Sequence, residues 1–343
     1  MTNKTLATLF FAATTALVAT STASAVSLKS LTDGYDVFVQ GNATLNGSVH
    51  VEGSIAVGGT LTTNGNQNSF GYHPSASDYT ILANSVDFNG IDNGKYANDH
   101  NHNSRIGTLN SQVIQPDGIY EGSTRIFNFD GKGSAVEDAI DSNYFSRKIG
   151  GLVDFSNTLK GLDDTNVISD FFDTNSAPNT NLTLEFGASP GLKVISTTWN
   201  SITNIVGNLQ TIGTALAGEA YVINVDLTGI GTNSFGNFNV QGRNASLVAD
   251  SADFILWNFF ASDDSVLKFE KGWLGSVLAP TLDVSNASND IDGMIVARSL
   301  EYTGGEIHVD PYDYDFEVPD AGSTALLLIL SAPLFFFARR RLR

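Results

Sequence analysis

The sequence of 343 residues has no cysteine, so it offers neither a disulfide framework nor thiol chemistry, although its export signals would have permitted disulfides. Positive charge is scarce: 18 Lys and Arg stand against 36 Asp and Glu. Five of those 18, Lys4, Arg339, Arg340, Arg341 and Arg343, fall in two terminal segments that hold no acid. The intervening residues 26–320 therefore carry 13 basic and 36 acidic side chains, a net of −23. A surface of that sign repels nucleic acid and anionic lipid and favours solubility or divalent cations, which argues against a DNA or RNA partner. Also missing are G-x-S-x-G, H-E-x-x-H and a phosphate loop. No Pro/Ser-rich linker divides the middle of the chain, which reads as one domain.

What is present is rhythm. Residues 40–63 read QGNATL-NGSVHV-EGSIAV-GGTLTT, with Gly41, Gly47, Gly53 and Gly59 six apart. The second residue after each glycine is Ala43, Val49, Ile55 or Leu61, and the fourth is Leu45, Val51, Val57 or Thr63. Each block is thus a short alternating strand next to a glycine that can take a corner. A period of six is too short for a helical repeat and fits the strand–corner–strand winding of a β-helix. Two hairpins sharing a rhythm are the plainer alternative.

A second repeat supports winding. GSVLAPTLDV, starting at Gly275, overlies GMIVARSLEY, starting at Gly293, with a shift of 18; Val277 matches Ile295, Ala279 matches Ala297 and Leu282 matches Leu300. Eighteen is three sixes, the length of one coil of a three-sided solenoid. The expected fold is mainly β: a β-helix (solenoid) of about 18 residues per coil.

Elsewhere the pattern varies. Tyr35, Val37 and Val39 alternate as a first strand, and the polar residues 64–105 read as loops protruding from one coil, with Ile81 and Val86 returning to the core. Over 134–162 the spacing of Phe145, Ile149, Leu152, Val153, Leu159 and Leu162 becomes helical, and Ser134 with Glu137 forms an S-x-x-E capping box. This predicts one α-helix, broken at Gly150-Gly151, that packs on the solenoid or caps its open end. Strands resume over 165–227 and again from Phe238, and the apolar run 254–260 suits a strand buried on both faces.

Both termini read as sorting signals. Lys4, the apolar run 6–19 and the small-x-small site Ala23-Ser24-Ala25 predict a secretory signal peptide, residues 1–25, with an N-terminal signal helix. Near the other end Val318, Pro319, Asp320 and Gly322 mark a motif, residues 321–338 are apolar, and Arg339, Arg340, Arg341 and Arg343 follow. Eighteen helical residues span about 27 Å, which just crosses a ~30 Å hydrocarbon core as a transmembrane helix, with the arginines as a cytoplasmic stop. Pro333 within so short a span suits a transient anchor. The domains expected are 1–25, 26–317 and 318–343.

Few residues suggest chemistry. His100, His102 and Asp99 form a weak metal cluster, for which solvated loop residues are the plainer reading. DVSNASNDIDG, with Asp283, Asp290 and Asp292, resembles half of a Ca²⁺ loop but lacks the closing glutamate of an EF-hand. Corners held by Asx turns are the alternative. Asp130-Gly131 and the acidic run 310–315 are similar. A carboxylate pair for glycoside cleavage could lie among 36 acids, but nothing in the sequence nominates it. The better candidate is an outward face bearing Asn42, Thr44, Ser48, His50, Ser54, Thr60 and Thr62, which could hold an extended polymer, or an ice or crystal surface, by many weak contacts.

YDVFVQGNATLNGSVHVEGSIAVGGTL, FILWNFF, GSVLAP and GGEIHVDPY together resemble the choice-of-anchor A family of bacterial surface proteins, over about residues 35–312. That resemblance implies an adhesive or matrix-associated protein. The tail independently resembles the VPDSG relative of PEP-CTERM sorting signals, matched by Val318, Pro319, Asp320 and Gly322, with Ala321 where serine is usual. It implies an exosortase-like sorting enzyme as partner and an inner-membrane-anchored precursor in a Gram-negative-type bacterium, later placed at the cell surface or in a biofilm matrix. The reading is a non-enzymatic exported adhesin or structural protein whose partner is an extracellular polysaccharide or matrix protein. The alternatives are a carbohydrate-active β-helix enzyme and an ice-binding protein.

Overall fold

Alternation places every second side chain of residues 37–63 on the inside. Val37, Val39, Ala43, Leu45, Val49, Val51, Ile55, Val57 and Leu61 are all fully buried. The computed structural model describes residues 24–64, 67–71, 73, 77, 79–88, 96–99, 103–109, 113–115, 118–120, 134–137, 140–165, 182–199, 209–235, 252–270, 272–287, 290–308, 312 and 314–318. The chain forms two compact units. In the smaller, Ser24–Val26 pairs antiparallel with Phe316–Val318. The larger, Leu28–Tyr314, holds the remaining described elements.

Fourteen strands carry the larger unit's architecture: β1 Val37–Val39, β2 Ala43–Val51, β3 Ile55–Thr63, β4 Gln67–Phe70, β5 Ile81–Phe88, β6 Asn103–Leu109, β7 Ser134–Glu137, β8 Gly191–Thr198, β9 Glu219–Asp226, β10 Ile255–Phe260, β11 Val266–Phe269, β12 Ser276–Ala287, β13 Ile291–Asp292 and β14 Ile295–His308. They join in one hydrogen-bonded set that closes on itself, and every pairing among them is parallel. The strands lie in three ladders. The first runs β8–β9–β10–β12–β14–β1–β3–β5–β6–β7. The second runs from β11 through the distal halves of β12 and β14 to β2, β3 and β5. The third links β13, the end of β14, β2 and β4.

The register carries the shift expected from the repeats. Val277 pairs with Ile295, Val37 with Ile55 and Ala43 with Leu61, the same shift of 18 in each case. Like side chains therefore stack, as in the column Val277, Ile295, Val37, Ile55 and Ile81. Each such fully buried aliphatic side chain contributes about 1.5–3 kcal/mol of hydrophobic burial. The column is not in chain order: β14 pairs with β12 on one side and with β1 and β2 on the other. The two repeats noted in the sequence are thus neighbouring layers of one stack, with chain-distant strands in contact.

Residues 144–160 form α2, after a short helix α1, Leu28–Leu31. Helix α2 buries Phe145, Ile149, Leu152, Phe155, Ser156 and Leu159 on the outer side of the first ladder. Phe145 meets Phe38 with ring centroids 5.6 Å apart. Asn224 and Asn258, paired in register, are buried beneath its C-terminal half. Asn224 Nδ2 donates to Leu159 O at 2.8 Å and Asn258 Nδ2 to Ser156 O at 2.9 Å, so the last turn finds buried partners.

Several expectations are corrected. Ser134 and Glu137 are not a capping box, because Ser134–Glu137 is a strand parallel to β6, and the helix starts ten residues later after Asn143, whose side chain makes no cap bond. The helix is unbroken at Gly150 and Gly151. The polar residues 64–105, read as loops, contain β4 and the strand Tyr96–Asp99, while Ile81 and Val86, expected to return to the core, are buried in β5. Among the described residues no helix is long and apolar enough to cross a membrane. The expected signal helix and the apolar segment 321–338 lie outside the described residues.

Candidate functional site

Helix α2 covers the outer side of the first ladder, whereas the second turns its alternate side chains outward. There the register aligns Ser285, Glu301, Thr44, Thr62 and Asp87 in one row across the strands. The next row along brings Thr303 beside Asn46. Interstrand spacing in such a sheet is about 4.8 Å, so the rows repeat at that distance. Asn64 Nδ2 donates to Asn46 Oδ1 at 3.0 Å, and the Thr60 N–H donates to Asn42 Oδ1 at 2.9 Å. These links fix the amides of successive layers in one orientation. Asn42, Thr44, Thr60 and Thr62 all reach the surface. Ser54 does not: it is buried, and its backbone N–H and hydroxyl donate to Asp36 at 2.8 and 3.2 Å.

Gly41 and Gly59 stack at the corner before this face, the Gly59 N–H donating to Gly41 O at 2.8 Å. A β-carbon on Gly59 would lie 2.8 Å from that carbonyl oxygen. Here glycine is required for close approach of two backbones.

The acids singled out in the sequence separate. Asp283, at the edge of the polar face, accepts 2.8 Å bonds from both Arg298 Nε and Nη2 and a 2.6 Å bond from the Ser299 hydroxyl. The Arg298 guanidinium holds its carboxyl below the usual carboxylate range, against the opposing effect of partial burial. Asp290 and Asp292 lie instead beside the third ladder. Asp290 Oδ1 accepts the Glu306 N–H at 2.9 Å, and Asp292 Oδ1 bonds His308 Nδ1. Asp292, followed by Glu306, pushes the His308 imidazole up to about 9 although burial works the other way. Sequence reasoning grouped the three aspartates, and the fold brings together only two. It missed Glu52, Glu306 and His308, whose ligand atoms lie within 4.8 Å of one another. A strand ending in Glu-x-His was the available signal. His100, His102, Pro319, Asp320, Gly322 and Arg339, Arg340, Arg341 and Arg343 lie outside the described residues, while Val318 ends the strand Phe316–Val318.

Residues 29–309 match the family described as "Putative Ice-binding-like adhesive domain". The chain belongs to that family. Residues 317–342 match the VPDSG-CTERM motif, so the adhesive domain is followed by a C-terminal sorting signal and the protein is an exported surface protein. The profile that matches is the ice-binding-like adhesive one, not choice-of-anchor A. No enzymatic family is among the matches, and no curated protein matches the chain.

Three solved structures match over most of the chain. An ice-binding protein from an Antarctic biological consortium is 13% identical, with 87% of this chain and 95% of that one covered, at a TM-score of 0.38. The DUF3494 domain of Shewanella frigidimarina ice-binding protein 1 is 11% identical, covering 82% and 97%, at 0.37. A glycosylated ice-binding protein from an Arctic yeast is 13% identical, covering 82% and 93%, at 0.36.

Proposed function

We propose that this ice-binding-like adhesive domain is a β-helix whose second-ladder face holds an extended extracellular polymer, a polysaccharide or matrix protein. The observation that carries this reading is the registered outward row Ser285, Glu301, Thr44, Thr62 and Asp87, with the Asn46–Asn64 bond beside it. Hydroxyls, amides and carboxylates repeated at strand spacing offer many weak hydrogen bonds to a chain lying across the strands, and their sum gives avidity. The VPDSG-CTERM motif supports processing by an exosortase-type enzyme. In this scheme residues 318–343 hold the precursor in the inner membrane until cleavage, and residues 26–317 then act at the cell surface or in a biofilm matrix. The finer choice-of-anchor A assignment rests on the quoted repeats alone.

Binding of the full chain in detergent to immobilised polysaccharides and matrix proteins tests the proposal. Thr44→Tyr with Thr62→Tyr should weaken binding at least tenfold and leave Tm within about two degrees, because both side chains point away from the core. Undiminished binding would move the site elsewhere, and release of new reducing ends from the polysaccharide would favour an enzyme. Ice binding is the second reading, favoured by the family description. It is weakened by Glu301 and Asp87, whose charged groups break a uniform hydroxyl array. Thermal hysteresis by the parent, abolished in the double tyrosine variant, would make ice the ligand.

A further inference from the structure

Away from the polar face, the third ladder gathers chemistry that adhesion does not use. Three of the chain's five histidines, His50, His73 and His308, meet Glu52, Glu306 and Asp292 there. The register explains the convergence. Glu306 pairs with His50 and Ile307 with Val51 across β14 and β2, and the Glu52 N–H donates to Ile307 O at 2.9 Å. Glu52 thus reaches the site from the N-terminal layers, while Glu306 and His308 reach it from the C-terminal layer.

We infer that Glu52, Glu306 and His308 bind one divalent transition-metal ion of the zinc type, which ties the two chain-distant layers together. Three observations support a built site. First, one ligand atom from each residue lies within 4.8 Å of the other two, and His308 Nε2 is 3.0 Å from Glu306 Oε2. Two ligands about 2.0–2.1 Å from a tetrahedral ion stand roughly 3.3 Å apart, so that edge is already close to formed. Second, Asp292 bonds His308 Nδ1 from behind, and Asp290 accepts the Glu306 N–H. A carboxylate behind the imidazole fixes the ring and turns Nε2 toward the ion, the usual support of a metal-binding histidine. Third, His50 Nδ1 lies 3.3 Å from Glu306 Oε1 and so steadies that carboxylate from outside the cluster, which leaves the fourth position of a tetrahedral ion to water.

Access and selectivity agree with this assignment. The His308 side chain is 15% exposed, Glu52 24% and Glu306 43%, so the donors are held by packing yet open to an ion. An imidazole among the ligands selects zinc-type ions over calcium, which takes oxygen ligands. The net negative chain raises the local cation concentration.

The test is zinc titration of the full chain in detergent after EDTA treatment, read by calorimetry and by Tm. The parent should bind zinc and gain several degrees in Tm. His308→Ala should bind one equivalent fewer and lose that gain. Glu52→Gln should weaken the same site at least tenfold while its circular dichroism matches the parent. X-ray absorption of the one-equivalent complex should give a mixed nitrogen and oxygen shell at about 2.0 Å, the ordinary zinc–ligand distance. If His308→Ala proves unfolded, Glu52→Gln and Glu306→Gln carry the test. An unchanged stoichiometry and Tm gain in the folded variants would overturn the site, as would a parent that takes up no zinc. Calcium producing the same effects at the same concentration would overturn its assignment to transition metals.

Discussion

Two regions of the stack use the same inward chemistry at different chain lengths. Where β12 meets β14 and where β1 and β2 meet β3, partners are related by the shift of 18. In the flank formed by β8, β9 and β10, Lys193 pairs with Tyr221 and Tyr221 with Ile255, so the shift widens to 28 and then to 34. Both regions bury most of their inward side chains. The extra residues in the flank lie between ladder strands, while stacked rungs keep their register. Even spacing makes a repeat visible in sequence; uneven spacing hides it while the strands still pair in parallel.

The flank also uses chemistry the regular layers do without. Lys193 and Glu219 form a buried ion pair, and Glu219 Oε2 accepts the backbone N–H groups of Gly187 at 2.8 Å and Leu216 at 2.9 Å. Tyr221 OH donates to Glu185 O at 2.6 Å. Trp257, Phe259, Phe269 and Trp273 form one ring cluster, with Phe269 and Trp273 centroids 4.6 Å apart. A buried ion pair marks the irregular layers, whereas the regular core is lined mainly by Val, Ile, Leu and Ala, joined by Tyr302 of β14 and Phe70 of β4.

Substitutions can break this comparison. The largest effects should be matched ones: Val51→Asp places an unpartnered carboxyl in the regular core, and Lys193→Met leaves Glu219 charged and buried in the flank. Each should cost on the order of 4 kcal/mol in denaturant unfolding. A loss confined to one of them would mean that the two regions unfold separately. Gly59→Ala should cost about 1–3 kcal/mol, because its methyl meets the Gly41 backbone of the layer beneath. Gly150→Ala in α2, where a β-carbon meets nothing within 4 Å, should instead gain about 0.5–1 kcal/mol.

The smallest effect concerns acid. Asp283 is held below its ordinary pKa of 3.8 by Arg298. Its contribution is present above that value and is lost as pH falls through the lower folded value. Asp283→Asn should therefore reduce Tm at pH 7 by a degree or two and show no difference from the parent near pH 2. An equal deficit at both values would assign the loss to packing and not to charge.

Legibility followed the evenness of the strand spacing. The hexads named the inward residues Ala43, Leu45, Val49, Val51, Ile55, Val57, Leu61 and Thr63, all buried, and the repeat shift equals the observed register. Order in the stack was not legible, because β14 between β12 and β1 is a contact across the whole chain with no local signature. Ser134 and Glu137 misled for a related reason: an S-x-x-E box is a local preference, and a place beside β6 overrides it. Glu52 and His308 were unreadable as partners for the same cause, since only β14 pairing with β2 brings them together.

The account rests on that seam, and the absence of cysteine makes it directly measurable. Glu301 and Thr44 are paired neighbours on the outer face, at strand spacing of about 4.8 Å and within the Cα range of a disulfide, about 4.4–6.8 Å. Oxidising the full chain carrying Thr44→Cys and Glu301→Cys should give a fast-migrating monomer on a non-reducing gel, reversed by dithiothreitol. Free thiols throughout, or disulfide-linked dimers alone, would contradict the stack.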